Sequence, residues 1–216
     1  MKKYYIFATQ ITNTMYISII TGDIVNSKKV NPQLWLPALK DVLHKFGKEP
    51  EQWEVFRGDS FQLEVKAENA LEAALLIKSA IKEINGLDVR MAIGIGEKTY
   101  STTKITESNG SAFVNSGECF DGLKKQKLEV KSPWEFFDIE VNLFLELLSN
   151  LVLDKWTPTS ASMIKEMLQN AEFTQSDLAL KLSKPQSNIS VGLRRAGFEE
   201  LKNVVKTYQL MLKRQC

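Results

Sequence analysis

The chain has 216 residues, of which 44% are hydrophobic and 25% charged, and its formal net charge is +2. This length gives room for one large domain or for one medium and one small domain, and the composition is typical of a soluble globular protein. No apolar run approaches the roughly 18 residues of a membrane span, so no membrane partner is expected. One histidine, His44, and two cysteines, Cys119 and Cys216, nearly exclude zinc sites and histidine-based triads, and they suit a reducing cytoplasm.

Charge is distributed unevenly along the chain. Residues 157–216 carry nine Lys/Arg against five Asp/Glu, whereas residues 1–156 carry 19 against 21. A mildly basic C-terminal part on a near-neutral body indicates an appended nucleic-acid-binding module.

The first hundred residues alternate in hydrophobic period. They predict a strand, a helix, two strands, a helix and a strand, over residues 16–23, 33–46, 52–57, 60–66, 68–85 and 87–96. This β-α-β-β-α-β order is the ferredoxin-like or palm arrangement, so we expect an α+β fold with a palm domain over residues 15–132. Residues 1–14 are interpreted as an N-terminal extension, native or from a mis-called start, because Met15 directly precedes the first strand.

Beyond the sixth element the chain is predicted to become helical. A polar loop, a helix over residues 112–124 and an edge strand over residues 128–131 precede the break at Ser132-Pro133. An apolar-striped helix follows over residues 134–156, and residues 133–156 are predicted to form a connector that packs on both parts. An all-helical domain is predicted over residues 157–216.

Asp23 and Asp59 each follow a glycine in a short turn motif. In the predicted sheet, the end of the first strand lies beside the hairpin between the second and third, so both carboxylates should meet at one edge. Mg²⁺, or Mn²⁺ in its place, takes one or two carboxylates and leaves the remaining positions to phosphates. We therefore expect Asp23 and Asp59 to be metal-binding, catalytic residues. Alternatively, either aspartate merely caps a helix or closes a hairpin, since Gly-Asp is a common turn pair.

The rest of the predicted nucleotide site surrounds this pair. Backbone N–H groups after the first strand should turn toward phosphates, and nearby cations should neutralise a triphosphate. Asn115 has two interpretations, a contact with a ribose or phosphate and a helix N-cap. The predicted nucleotide-binding residues are Ile24, Val25, Asn26, Ser27, Lys28, Lys29, Arg57, Gly58 and Asn115.

Four segments resemble motifs of nucleotide cyclases. Residues 21–27 (TGDIVNS) resemble the first metal motif of class III nucleotidyl cyclases, and residues 57–61 (RGDSF) resemble their second-aspartate hairpin and the GGDEF turn of diguanylate cyclases. Residues 89–96 match the Arg-x-x-Ile-Gly-Ile strand of both groups, and residues 110–115 (GSAFVN) resemble a cyclase segment ending in Val-Asn. Over residues 15–130 the pattern is most similar to the SatD family of small bacterial proteins. The resemblance implies a cyclase-like palm that binds a nucleoside triphosphate or a cyclic nucleotide.

Two positions depart from the cyclase pattern. Cys119 stands where cyclases have the arginine that steadies transition-state charge, and Val55 stands in place of the purine-selecting lysine. As an enzyme, the chain would join a ribose hydroxyl to an α-phosphate and release pyrophosphate, giving a cyclic nucleotide or dinucleotide. The alternatives are a non-catalytic, nucleotide-sensing transcriptional regulator and a scaffold in which neither site works. Cyclase-like palms often complete a site across two chains, so a homodimer is expected.

A second motif lies in the basic C-terminal part. Residues 173–182 predict a short helix with Thr174 as N-cap, residues 183–185 a turn, and residues 186–195 a second helix. The pattern resembles the helix-turn-helix of many bacterial regulators, and the alternative is a helical hairpin used for dimerisation. In a helix-turn-helix, the second helix would read base edges of double-stranded DNA and hold its phosphates. The predicted base-reading residues are Gln186, Ser187, Asn188 and Ser190, and the predicted phosphate-binding residues are Arg194 and Arg195.

Overall fold

The computed structural model describes residues 16–124 and 127–215, and the extension predicted over residues 1–14 lies outside them. Within these residues, strands and helices alternate and then give way to helices alone, which confirms the α+β class. The elements are β1 Ile17–Val25, α1 Pro32–Leu43, β2 Trp53–Phe56, β3 Ser60–Lys66, α2 Ala70–Lys82, β4 Asp88–Gly96, α3 Ser111–Gly122, β5 Leu128–Lys131, α4 Glu135–Leu151, α5 Pro158–Gln169, α6 Gln175–Lys181, α7 Gln186–Arg195 and α8 Phe198–Leu212.

The strands form one mixed sheet in the order β2-β3-β1-β4-β5. The first four are antiparallel neighbours, and β5 runs parallel to β4. β1 and β4 are internal strands, and they are mostly buried because helices α2 and α3 both contact them. The strand that carries Asp23 therefore has a neighbour on each side.

Helices cover both faces of the sheet. The main core packs α1 and α2 against one face, with Trp35, Trp53 and Phe61 fully enclosed. On the other face α3 lies directly on β4. A Cβ on Gly94 would come 2.1 Å from the Ser116 backbone nitrogen of α3, so only glycine permits this close approach.

The C-terminal helices share the core of the sheet. α5 packs against α2, and the apolar cluster continues from the strands into α7 and α8. The Tyr208 hydroxyl of α8 donates to the Ala67 carbonyl at 2.7 Å, and the Trp156 indole donates to the Ala196 carbonyl at 2.9 Å. α4 ends at Leu151, earlier than the predicted helix over residues 134–156, and a short 3₁₀ turn, Leu153–Lys155, follows. No described helix has the length and apolarity needed to cross a membrane.

A buried charge cluster joins α2, β4 and the segment after α4. The Lys78 ammonium is fully buried and lies 2.9 Å from one Asp88 oxygen, while Lys127 lies 2.8 Å from the other. Asp154 lies 3.1 Å from Lys127 and 3.7 Å from Lys78. Burial alone would raise the pKa of Asp88, but the ammonium groups of Lys78 and Lys127 lower it to about 2. Burial also lowers the pKa of Lys78.

Candidate functional site

Asp23 lies inside β1 and not at its end. The sequence predicts a strand that stops at Asp23, whereas the structure continues it to Val25. The extension follows from pairing with β4, in which Asp23 faces Arg90, Ile24 faces Val89 and Val25 faces Asp88. The preference of Gly22-Asp23 for a turn is therefore outweighed by strand pairing, because an internal strand forms backbone hydrogen bonds with a neighbour on each side.

The Asp23 carboxylate is held by an arginine fork. Arg90 Nε donates to one oxygen at 2.9 Å and Nη2 donates to the other at 2.7 Å. The guanidinium also lies over the Phe120 ring, 5.0 Å from its centroid. The hydrogen bond to Asp23 is the main cause that raises the pKa of Arg90. Sequence reasoning missed this partnership, and the antiparallel register of β1 and β4 is the feature that creates it.

Asp59 lies beside the same part of β1. Its backbone carbonyl accepts from the Ile24 N–H at 3.1 Å, and its carboxylate accepts from the Ser27 hydroxyl at 2.5 Å. Ser60, the next residue, is the register partner of Asp23. The hairpin turn reaches this position through left-handed backbone at Arg57 (φ +52°) and Gly58 (φ +90°). The structure therefore brings the two Gly-Asp motifs to adjacent positions, while a metal shared by their carboxylates stays a prediction.

The predicted phosphate-binding segment is partly engaged within the protein. The Ile24 N–H bonds the hairpin and its side chain is buried in the core, so it does not face a ligand. Val25 belongs to β1, and the Asn26 side chain donates to the Gly86 carbonyl at 3.2 Å. Ser27 is buried and binds Asp59, whereas Asn26, Lys28 and Lys29 are exposed.

Asn115 and Cys119 both lie on α3, against β4. The N-cap of α3 is Gly110, so the N-cap interpretation of Asn115 is wrong. The Asn115 amide instead donates to the Ile95 carbonyl at 2.8 Å and anchors α3 to the sheet. Cys119 packs with Ala92, and burial raises the pKa of its thiol to about 12. It therefore acts as a small apolar residue.

The carboxylates of Asp23 and Asp59 already accept hydrogen bonds within the protein. Both Asp23 oxygens accept from Arg90, whose charge neutralises the carboxylate, and one Asp59 oxygen accepts from Ser27. Within residues 16–124 and 127–215, no group of three or more His, Cys, Asp or Glu could hold a metal ion. A carboxylate keeps further lone pairs beside those that accept hydrogen bonds, so a Mg²⁺ ion at Asp23 would share this carboxylate with Arg90.

The C-terminal helices form the short pair that the sequence predicts. Thr174 caps α6 in a reciprocal capping box with Asp177. Ser183 adopts a left-handed conformation (φ +51°) in the turn, and the Lys184 N–H closes that turn on the Ala179 carbonyl at 3.0 Å. Leu178 and Ile189 are buried between the helices. All the predicted DNA-contacting side chains are exposed, namely Gln186, Ser187, Asn188, Ser190, Arg194 and Arg195.

A basic cavity of about 520 Å³ lies beside α7. Three cationic side chains line it, Lys155, Lys184 and Arg195, together with hydroxyl and amide groups of Thr157, Thr159, Ser160 and Asn188. Lys155 and Lys184 were not expected from the sequence, because each becomes part of this surface only through the packing of α5 against α7. The residues that line the cavity lie between positions 155 and 195, and neither Asp23 nor Asp59 is among them.

No family model matches the sequence, and no curated protein matches it.

Proposed function

We propose that this chain is a DNA-binding regulator in which α6 and α7 form a helix-turn-helix, and that its sheet domain is a non-catalytic nucleotide sensor. The proposal places the protein in the cytoplasm, where both double-stranded DNA and nucleotides are available. The main support is the arrangement of α7: its polar and cationic side chains are exposed on the side away from its buried residues.

The chemistry of α7 supports groove reading. Ile189 and Leu193 anchor the helix on the core, and the amide and hydroxyl groups at its start are free of helix packing. Amide side chains such as that of Gln186 match the paired donor and acceptor of adenine in the major groove. A helix that buries its apolar side and exposes its polar side can place its first turns against base edges in the major groove, while residues along its sides contact phosphates.

The basic cavity supports contact with the DNA backbone. Lys155, Lys184 and Arg195 lie at the edge of α7, so a helix placed in the major groove would bring them toward phosphates. Arg194 is exposed at the end of the same helix. Cations placed around a recognition helix fix its register on the duplex and supply most of the salt-dependent affinity.

The test is selection of binding sites from random double-stranded DNA with the full chain, followed by fluorescence anisotropy at several salt concentrations. We expect Arg194→Ala to weaken binding to all sequences about equally and to reduce the salt slope by about one. Lys45→Ala is the matched control, because this exposed lysine at the end of α1 lies outside the helical pair. If no sequence is enriched and both variants behave as the parent protein does, the DNA-binding proposal fails.

A second candidate function is metal-dependent nucleotide binding at Asp23 and Asp59. It is supported by the contacts that join Ser27, Ile24 and Asp59, and by the exposed ammonium groups of Lys28 and Lys29 beside them. The resemblance to class III cyclases and the SatD family belongs to the same proposal. The arginine fork on Asp23 favours sensing over cyclisation, because a catalytic pair needs both carboxylates free for metal.

The nucleotide proposal is tested by calorimetry with each ribonucleoside triphosphate in Mg²⁺ or Mn²⁺. We expect binding that EDTA removes and that Asp59→Ala abolishes, because the variant lacks one of the two carboxylates. Glu51→Ala, an exposed change before β2, is the control. Incubation with labelled triphosphates and separation of products distinguishes sensing from cyclase activity. Equal binding in EDTA would contradict a role for metal.

A further inference from the structure

Helix α4 exposes an apolar ridge that no described residue covers. Ile139, Leu143, Leu147 and Leu151 recur every fourth residue, and Phe136 and Phe144 flank them. These six side chains are between 41% and 84% exposed. The adjoining side of α4 packs on β5 and α8 through Phe137, Val141, Leu145 and Leu148. The helix is therefore apolar on two sides, of which one is covered.

We infer that this ridge is covered by the same ridge of a second copy of the chain, in a two-fold dimer. This surface differs from the palm contact that the cyclase resemblance implies. The inference does not depend on DNA or nucleotide binding. The size and the shape of the ridge each support a second copy as the occupant.

The size of the ridge is sufficient for a stable interface. Six large side chains, each about half exposed, present on the order of 600 Å² of apolar surface, at the upper limit for a typical monomer. Two such surfaces together bury about 1,200 Å², which is the lower bound of standard interfaces before any flanking contact is added.

The shape of the ridge is self-complementary. Side chains at four-residue spacing form a continuous row, and two identical rows interdigitate when helices cross at about −50°. A two-fold dimer uses the same patch on both subunits, so identical ridges satisfy this packing without a second specialised surface. Such a crossing centres on Leu143 and Leu147, in the middle of α4.

The ridge contains one acidic residue. Glu140 is exposed and points in nearly the same direction as Leu147 and Leu151, because successive helix residues are about 100° apart. The charges of α4 therefore select no orientation for the partner, and the inference rests on the size and shape of the ridge.

Sedimentation velocity of the full chain between 1 and 100 µM tests the dimer, with protein concentrations chosen on the order of typical dissociation constants. We expect a dimer whose dissociation constant rises at least about 30-fold in Leu143→Asp, since a central apolar contact is replaced by a charge. Leu34→Asp is the matched control, because this leucine is 63% exposed on α1 and should leave the dimer unchanged. Circular dichroism confirms that both variants remain folded.

Disulfide trapping tests whether the two ridges face each other. In a Cys216→Ser background, mild oxidation should link Leu143→Cys to its own copy and should leave Leu34→Cys unlinked, because only Leu143 lies near the crossing point. A parent protein that is monomeric at the highest concentration, or a Leu143→Asp variant that dimerises as the parent does, overturns the proposal. A dimer in which Leu143→Cys does not cross-link overturns the placement of the ridges in the interface.

Discussion

Replacement of Asp88 by asparagine leaves the Lys78 ammonium buried without its nearest carboxylate. Lys78 is fully enclosed, and Asp88 lies 2.9 Å from it, whereas Asp154 is farther away at 3.7 Å and is itself more than one-third exposed. Loss of one partner from a buried ion pair costs about 3–5 kcal/mol, because the remaining charge is uncompensated. Asp154 offsets part of this cost, so we expect Asp88→Asn to lower the free energy of unfolding by about 3 kcal/mol.

The magnitude can be checked against the pKa of Asp88. Its value of about 2 in the folded chain, against 3.8 ordinarily, corresponds to about 2 kcal/mol. Because the folded pKa is lowered, this stabilisation is fully present above pH ~4 and is lost as pH falls toward 2. The parent chain should therefore lose stability in this window, and Asp88→Asn should lose less.

Urea unfolding followed by circular dichroism measures both effects. A decrease of about 3 kcal/mol corresponds to a fall in melting temperature of roughly 6–12 °C for a chain of this size. The double variant Lys78→Met/Asp88→Asn should be more stable than Asp88→Asn alone, since it removes the orphaned charge. A loss under about 1 kcal/mol for Asp88→Asn, or a double variant less stable than the single one, would refute this reasoning.

Three further predictions concern the candidate sites. Gln186→Ala should lower the binding free energy by roughly 1–3 kcal/mol on the selected DNA site and by little on other sequences, because it removes a base-edge contact. Fluorescence anisotropy on both sequences measures this difference, and equal losses would contradict base reading. Ser183→Gly should stabilise the chain by up to about 1 kcal/mol in urea unfolding, because glycine adopts the φ of +51° without a Cβ clash, and a loss of stability would contradict that account. Arg90→Ala should tighten Mn²⁺ binding about tenfold or more by freeing the Asp23 carboxylate, and unchanged affinity in calorimetry would exclude Asp23 as a ligand.

The sequence predicts features that depend on near neighbours and misses those set by pairing between distant segments. The β-α-β-β-α-β order follows from hydrophobic period, and the Thr174 cap follows from residues within one helical turn. The predicted end of β1 was wrong, because Asp23, Ile24 and Val25 pair with residues of β4, a strand more than sixty residues away in the sequence. Local turn preference carries no information about that register.

The candidate site likewise has features that the sequence predicts and features that it misses. Exposure at the start of α7 follows from its own amphipathic pattern, so it was predictable. The fork from Arg90 to Asp23 joins residues 67 positions apart and emerges only when the sheet order is known. The engagement of Asn115 with Ile95 has the same origin, since it requires that α3 lie on β4.

The packing of α5 on α2 also limits how this protein can be engineered. A fragment that begins at residue 157 would lack the α2 surface on which α5 rests, and it would lose the Ala67 carbonyl that accepts from Tyr208. The helices α6 and α7, which we propose to bind DNA, therefore cannot be moved to another protein by cutting the chain at residue 157. A chimera that changes their specificity should graft residues onto α7 in place and leave the helices around it unaltered.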